Sequence, residues 1–128
     1  MSRLVLVCIG GALGTGVRYL TGVLAVHWWG VGFPYGTLVV NLAGAFAIGL
    51  VQHLAAVALV PEGLRLFVAV GVLGGMTTYS SFAFETVRLM TLAEWGKAGA
   101  NVVLTNVLCL GLCWLGMLAG RGATGPAN

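Results

Sequence analysis

Residues 71–82 read GVLGGMTTYSSF and form the densest group of chemically capable residues in the chain. Glycine and hydroxyl residues are poor helix-interior residues, so this Gly-Gly pair followed by Thr-Thr and Ser-Ser predicts a broken helix. Inside a membrane, unwound backbone is tolerated only where protein buries it or water reaches it. The carbonyls that a break releases can bind a cation. The alternative is a kink in which Ser and Thr bond back to their own helix.

Asn41 and Thr37 form a second candidate group, because an amide and a hydroxyl lie one helical turn apart in an apolar stretch. The amide offers two N–H donors and one acceptor, all of which need partners in lipid. One interpretation is a structural hydrogen bond between helices, which is common in membrane proteins. The other is a donor that lines a path for an anion. The sequence leaves both interpretations open.

Charged side chains are rare, and three of them lie inside or near the end of an apolar stretch. Arg18 lies deep in the first stretch, on the helical face of Gly10 and Gly14. A buried cation costs about 2.5–3.5 kcal/mol on insertion scales, so Arg18 should face protein or water, or snorkel to an interface. Glu85 and Arg88 are spaced i, i+3. One interpretation is that the two residues form an ion pair at the membrane interface. The other is that Glu85 lies deeper in the membrane and accepts hydrogen bonds from hydroxyl groups.

The composition identifies the solvent that surrounds these groups. Of 128 residues, 59% are hydrophobic and 7% are charged, whereas a soluble domain carries about 25% charged residues. Such a chain must be embedded in lipid. A net charge of +3, scattered along the sequence, does not suggest a nucleic-acid partner. The sequence contains no recognisable nucleophile–base pair or metal-ligand cluster, so we do not expect an enzyme.

Four apolar stretches are long enough to span a bilayer, which takes roughly 20 residues. They cover residues 4–26, 36–60, 64–90 and 98–119. We therefore expect an all-α membrane protein with one four-helix transmembrane domain at residues 1–120. Residues 121–128 are rich in Gly, Ala and Pro and are expected to form a disordered tail.

The charges that flank the spans give almost no preference for one orientation. Arg3, Arg65 and Arg121 lie on one side of the membrane, and Arg88 and Lys97 lie on the other. Orientation depends on the difference between such counts, which is only one here. The protein therefore either inserts with a weak bias or inserts both ways and pairs with its inverted copy. Four thin helices can hardly enclose a water-filled path alone, so a two-fold dimer is expected.

Three motifs in this order resemble those of the fluoride-specific channel family called Fluc or CrcB, over roughly residues 3–120. They are GGALG at 10–14 followed by Arg18, FPYGTL at 33–38 followed by Asn41, and GVLGGMTTYSSF at 71–82 followed by Glu85. The resemblance implies an antiparallel, dual-topology homodimer in the cell inner membrane with two fluoride pores. It also implies passive efflux of fluoride that lowers fluoride toxicity. The near-equal charge counts agree with an inverted pair.

The resemblance also implies individual site residues. A structural sodium ion would lie at the dimer centre, held by the backbone carbonyls of Gly74 and Thr77 from each subunit. The fluoride pore would be lined by Asn41, Tyr79, Phe82, Thr37, Ser80, Ser81, Glu85, Thr105 and Cys109. The chain departs from the family at two of these positions, because Tyr79 replaces the usual phenylalanine and Cys109 replaces a hydroxyl residue. We expect Arg18 to organise an interface.

Two other functions compete with a fluoride channel. A small four-span, proton-coupled exporter of cationic drugs also inserts both ways, but it needs a membrane-embedded carboxylate, typically in the first span. Here the first span carries Arg18 and no acidic residue. A membrane scaffold would explain the glycine-rich packing, but not the Gly/Thr/Ser cluster together with Asn41.

Overall fold

The computed structural model describes residues 2–125, and within that range all of the regular secondary structure is helical, with no strand. Four stretches are long and apolar enough to cross a membrane, which confirms the predicted all-α class and the four spans. The helices are α1 Ser2–Trp29, α2 Tyr35–Ala56, α3 Glu62–Arg65, α4 Leu73–Met76, α5 Tyr79–Thr91 and α6 Trp95–Thr124, and a π-helical segment, Leu66–Val72, joins α3 to α4.

The fourth span is longer than the sequence predicts. Helix α6 continues to Thr124, five residues beyond the expected end of the span at residue 119. Arg121 to Thr124, which the sequence assigns to the tail, continue this helix, because the backbone hydrogen bonds of a long helix propagate through a short polar segment. Gly125 follows the helix, and residues 126–128 of the expected tail lie outside the described residues.

Glycines allow α1 to pack backbone to backbone against the third span, residues Glu62–Thr91. A methyl group added at Gly14 would overlap the carbonyl oxygen of Val72, and one added at Gly10 would lie 3.0 Å from the Cα of Gly71. The same principle joins α2 to α6, where a methyl group at Gly116 would overlap the carbonyl oxygen of Phe46. Small residues bring membrane helices close enough for extensive van der Waals contact, which lipid does not otherwise favour.

The backbone of the third span leaves the helical conformation at two consecutive residues. Thr77 has φ −80° and ψ 154°, and Thr78 has φ −155° and ψ 118°, both in the extended region. Helical turns end at Met76 and begin again at Tyr79. The glycine pair at 74–75 stays inside α4, so the extended backbone falls on the two threonines that follow it.

Candidate functional site

Asn41 on α2 bonds directly to the non-helical backbone of the third span. Its Oδ1 accepts a hydrogen bond from the Thr78 N–H over 2.8 Å, and its Nδ2 donates to the Thr78 carbonyl over 3.1 Å. The Asn41 amide therefore satisfies both the N–H and the carbonyl of Thr78, as a backbone peptide group of another segment could do. Because an amide nitrogen carries two protons, one N–H of Asn41 remains for another acceptor.

Two N–H groups of the third span donate to side chains instead of to the carbonyls that would accept from them in a continuous helix. In a continuous helix the Thr78 N–H would donate to the Gly74 carbonyl, but here it donates to Asn41. The Ser81 N–H would similarly donate to the Thr77 carbonyl, but it donates to the Thr78 hydroxyl over 3.2 Å. The carbonyls of Gly74 and Thr77 are thus separated from their helical donors.

Thr78 caps the helix that begins after it. Its hydroxyl oxygen accepts from the Ser81 N–H and lies 3.2 Å from the hydroxyl oxygens of both Ser80 and Ser81. Thr78 is buried, with 7% of its surface exposed. An N-cap of this kind satisfies one of the free N–H groups at a helix start and stabilises the helix by about 1 kcal/mol.

A groove of about 530 Å³ runs beside the non-helical backbone. Predicted site residues that line it come from the second, third and fourth spans: Asn41, Gly74, Thr77, Tyr79, Phe82, Thr105 and Cys109. The rings of Tyr79 and Phe82 are 5.3 Å apart between centroids and tilted by 52°. Phe82 is 6% exposed, whereas Tyr79 is 77% exposed and projects from the surface of the single chain.

A second cavity, of about 350 Å³, lies where α1, α2 and α5 approach the membrane face that carries the 30–34 loop. Thr37 and Glu85 line it together, and the Thr37 hydroxyl donates to Glu85 Oε1 over 2.8 Å. The other carboxylate oxygen is buried and has no hydrogen-bond partner within residues 2–125. Arg88 also lines this cavity, so both charge signs are present at its wall.

Three predicted site residues lie apart from the two cavities. Ser80 and Ser81 surround the Thr78 hydroxyl instead of lining either space. Arg18 is half-buried on α1 and, within the described part of the chain, forms no ion pair. Its helical face continues that of Gly10 and Gly14, which packs against the third span.

Three buried polar residues, Thr78, Thr86 and Asn101, are not among the individual site residues predicted from the sequence. Thr86 is 5% exposed and Asn101 is 1% exposed, and the Asn101 amide donates to the Thr86 hydroxyl over 2.9 Å. Thr78 could have been found from the preference for threonine at helix N-caps. Asn101 could have been found by asking for a partner for each amide in a membrane span.

The two helix ends that meet at residues 77–78 favour ions of opposite sign. The C-terminal end of α4 presents carbonyl groups, which favour a cation, and the N-terminal end of α5 presents N–H groups, which favour an anion. Discontinuous helices use their ends in this way to hold ions near the membrane midplane. The arrangement can therefore hold a cation on one side of residues 77–78 and attract an anion on the other.

Comparison with known proteins gives a consistent family. The family model described as CrcB-like protein, Camphor Resistance (CrcB), matches residues 5–117. A protein of Opitutus terrae named fluoride-specific ion channel FluC is 47% identical over 95% of this chain and 95% of its own length. Proteins with the same name from Anaeromyxobacter sp. strain K and Anaeromyxobacter dehalogenans are 49% and 44% identical over 86% and 98% of this chain, and over 88% and 100% of their own lengths.

Proposed function

The chain belongs to the CrcB-like family, and from this membership we propose that it is a fluoride-selective ion channel. It lets fluoride leave the cell passively, down its electrochemical gradient. Hydrogen fluoride enters as a neutral acid and ionises in a near-neutral cytoplasm, and the resulting anion cannot recross an apolar bilayer unaided. A selective exit therefore lowers the toxicity of fluoride. The family is one of channels, so the protein is not an enzyme.

The observation that carries this function is the set of polar groups that follows the third span through the apolar interior. Fluoride is small and tightly hydrated, so a path must replace its water with donors and still release it. The unused N–H of Asn41, the Thr105 hydroxyl and the Cys109 thiol supply several donors of moderate strength. The positive edges of the Tyr79 and Phe82 rings add weaker attraction.

The path continues from the groove toward the second cavity. Ser80 and Ser81, at the start of α5, and then Thr37 and Glu85 extend the polar groups in that direction. The hydroxyl groups of Thr37 and Ser80 rotate freely enough to exchange one acceptor for another. Successive hydroxyl groups can therefore pass an anion along without binding it tightly.

A sodium ion at the centre of a dimer is the second part of the proposal. The carbonyls of Gly74 and Thr77, which lack their helical donors, are hard oxygen ligands of the kind that alkali and alkaline-earth cations prefer. Gly74 is exposed in the single chain, so a second copy can approach it. The ion would neutralise the carbonyl dipoles and so stabilise the broken third helix.

The proposed assembly is an antiparallel homodimer with dual topology in the inner membrane. It is supported by the weak charge bias of the flanking residues and by Tyr79, whose ring is 77% exposed beside an open groove. A second copy would cover both the ring and the groove. Arg18 would then organise the contact or the adjoining aqueous space, because a half-buried cation in a membrane needs polar surroundings.

The direct test is ion efflux from liposomes that contain the purified protein. Fluoride should leave rapidly once a potassium ionophore balances the charge, whereas chloride should stay trapped. Equal efflux of the two anions would contradict fluoride selectivity. A tag at the C-terminus that is accessible from both membrane faces would support dual topology, and a tag accessible from one face only would contradict it.

The proton-coupled exporter receives no support from the comparisons. The first span of the described chain, Ser2–Trp29, carries no acidic residue, as the sequence indicates. Proton-dependent efflux of a cationic dye from the same liposomes would be needed to favour that function.

A further inference from the structure

We propose that Asn101 is a positioning residue of the pore. It acts through Thr86 on the backbone of Phe82 and acts directly on the hydroxyl of Thr105. Neither Asn101 nor Thr86 lines the groove, whereas Phe82 and Thr105 both do. This inference rests on the proposed function, because it concerns how two groups that meet the anion are held in place.

Three hydrogen bonds connect these four residues across the contact of α5 and α6. The Asn101 amide nitrogen donates to the Thr86 hydroxyl oxygen over 2.9 Å, and the Thr86 hydroxyl donates to the Phe82 carbonyl over 2.7 Å. The Thr105 hydroxyl donates to Asn101 Oδ1 over 3.5 Å. Asn101 therefore uses both ends of its amide, one toward each groove-lining residue.

The direction of the bonds assigns Thr86 a holding role. A hydroxyl group has one proton, and that of Thr86 is committed to the Phe82 carbonyl. Thr86 therefore accepts from Asn101 and does not donate to a passing anion. Hydrogen bonds in series polarise one another in a low dielectric, so the amide strengthens the bond that Thr86 makes to Phe82. The turn of α5 that carries Phe82 is thereby held against α6.

The bond to Thr105 is of a different kind. Its separation of 3.5 Å is longer than the roughly 2.5–3.0 Å usual for a hydroxyl that donates to an oxygen, so this contact is weak. The hydroxyl is therefore aligned by Asn101 but held weakly, and it can turn toward an anion in the groove at small cost. Asn101 thus sets a resting orientation for one donor while it fixes the ring beside it.

A buried amide between two membrane helices could also stabilise the fold without affecting the pore. The two roles differ in what they change. A purely structural role alters the number of folded channels and leaves the current through each one unchanged. A positioning role alters the current through each folded channel. Single-channel recording of fluoride current in planar bilayers separates the two roles.

The test uses four variants of the full chain. Asn101→Leu removes both ends of the amide with little change in volume, and Thr86→Val removes the hydroxyl but keeps the shape. Thr86→Ser restores the hydroxyl. Thr91→Val is the matched control, because the Thr91 hydroxyl on the same helix also donates to a backbone carbonyl, that of Arg88 over 2.8 Å, but it is exposed and bonds to no side chain of α6 within residues 2–125.

We expect Asn101→Leu and Thr86→Val to lower the single-channel fluoride current by about 3- to 20-fold. This range assumes that the whole free energy of the lost interhelical hydrogen bond is added to the free-energy barrier for fluoride permeation. Thr86→Ser should stay within about twofold of the wild type, and Thr91→Val should match it. The double variant of Asn101 and Thr86 should lose less than the product of the two single losses, since both changes remove the bond between these two side chains.

Unchanged single-channel currents in Asn101→Leu and Thr86→Val would overturn the inference, and so would a loss in Thr86→Ser as large as that in Thr86→Val. If Asn101→Leu does not fold, the single-channel currents of Thr86→Val and Thr86→Ser still test the inference. A wild-type protein that passes no fluoride would refute the proposed function itself. Fluoride current in the wild type, with equal current in the variants, would refute only the role of Asn101.

Discussion

Replacing Asn41 by leucine should restore a continuous third span and close the fluoride path. The change removes the two hydrogen bonds to Thr78, of 2.8 and 3.1 Å. The Thr78 N–H then regains the Gly74 carbonyl as its nearest acceptor along the helix. At about 0.5–1.5 kcal/mol for each bond, the non-helical conformation loses about 1–3 kcal/mol relative to the continuous helix. That shift corresponds to a factor of about 5 to 150 in the ratio of the open backbone to the continuous helix.

The assay is fluoride efflux from liposomes that hold known amounts of folded protein, confirmed by size-exclusion chromatography. Asn41→Leu should lower efflux; the backbone shift contributes at most the factor given above, and the loss of the amide donor adds to the effect. Gln52→Leu is the control. It makes the same kind of change, from amide to leucine, at an exposed position of the same helix. Its efflux should equal that of the wild type.

Wild-type efflux in folded Asn41→Leu would refute this reasoning. It would mean that the extended backbone at Thr77 and Thr78 persists without its partner, and that fluoride does not need the amide. A loss of efflux in Gln52→Leu would also count against it, because the effect would then belong to any polar change in α2.

Three further predictions concern packing, the second cavity and the cation. Gly14→Ala should destabilise the protein by about 1–3 kcal/mol in thermal unfolding, because the methyl group would overlap the Val72 carbonyl; Gly16→Ala, with no atom within 4 Å of the added methyl group, should be neutral or slightly stabilising. Thr37→Val should lower fluoride efflux severalfold, because the carboxylate of Glu85 loses its hydroxyl partner, whereas Thr37→Ser should retain efflux; equal losses in both would contradict this role. Replacing sodium throughout purification and reconstitution by a large organic cation should abolish efflux, and full activity without sodium would contradict the proposed cation site.

The sequence was sufficient for the class of the protein and for the number of its spans. Hydropathy is a local property, so each apolar stretch identifies its own helix without reference to the others. The polar cluster at residues 71–82 was identified for the same reason, since glycine and hydroxyl residues disfavour a helix wherever they occur. Helix α6 extends five residues past the predicted apolar stretch, because a helix, once started, continues through polar residues that would not start one.

Tertiary structure decided where the backbone leaves the helix and which polar groups meet. The sequence predicts a break within residues 71–82 without giving its position; Gly74 and Gly75 remain in α4, and the extended residues are Thr77 and Thr78. The reason is the bond to Asn41, which lies 37 positions away in the sequence. Glu85 and Thr37 are separated by 48 positions, and neither residue type reveals its partner.

The sequence by itself determined that the polar groups inside the membrane need partners within the protein, because lipid offers a hydrogen-bonding group none. They did not determine the pairs, since an amide or hydroxyl can bond to any donor or acceptor that packing brings within reach. Close contact of glycines with neighbouring backbones sets the spacing of the four spans. That spacing brings Asn41 to Thr78 and Asn101 to Thr86, and so only the packed helices decide which groups form the path.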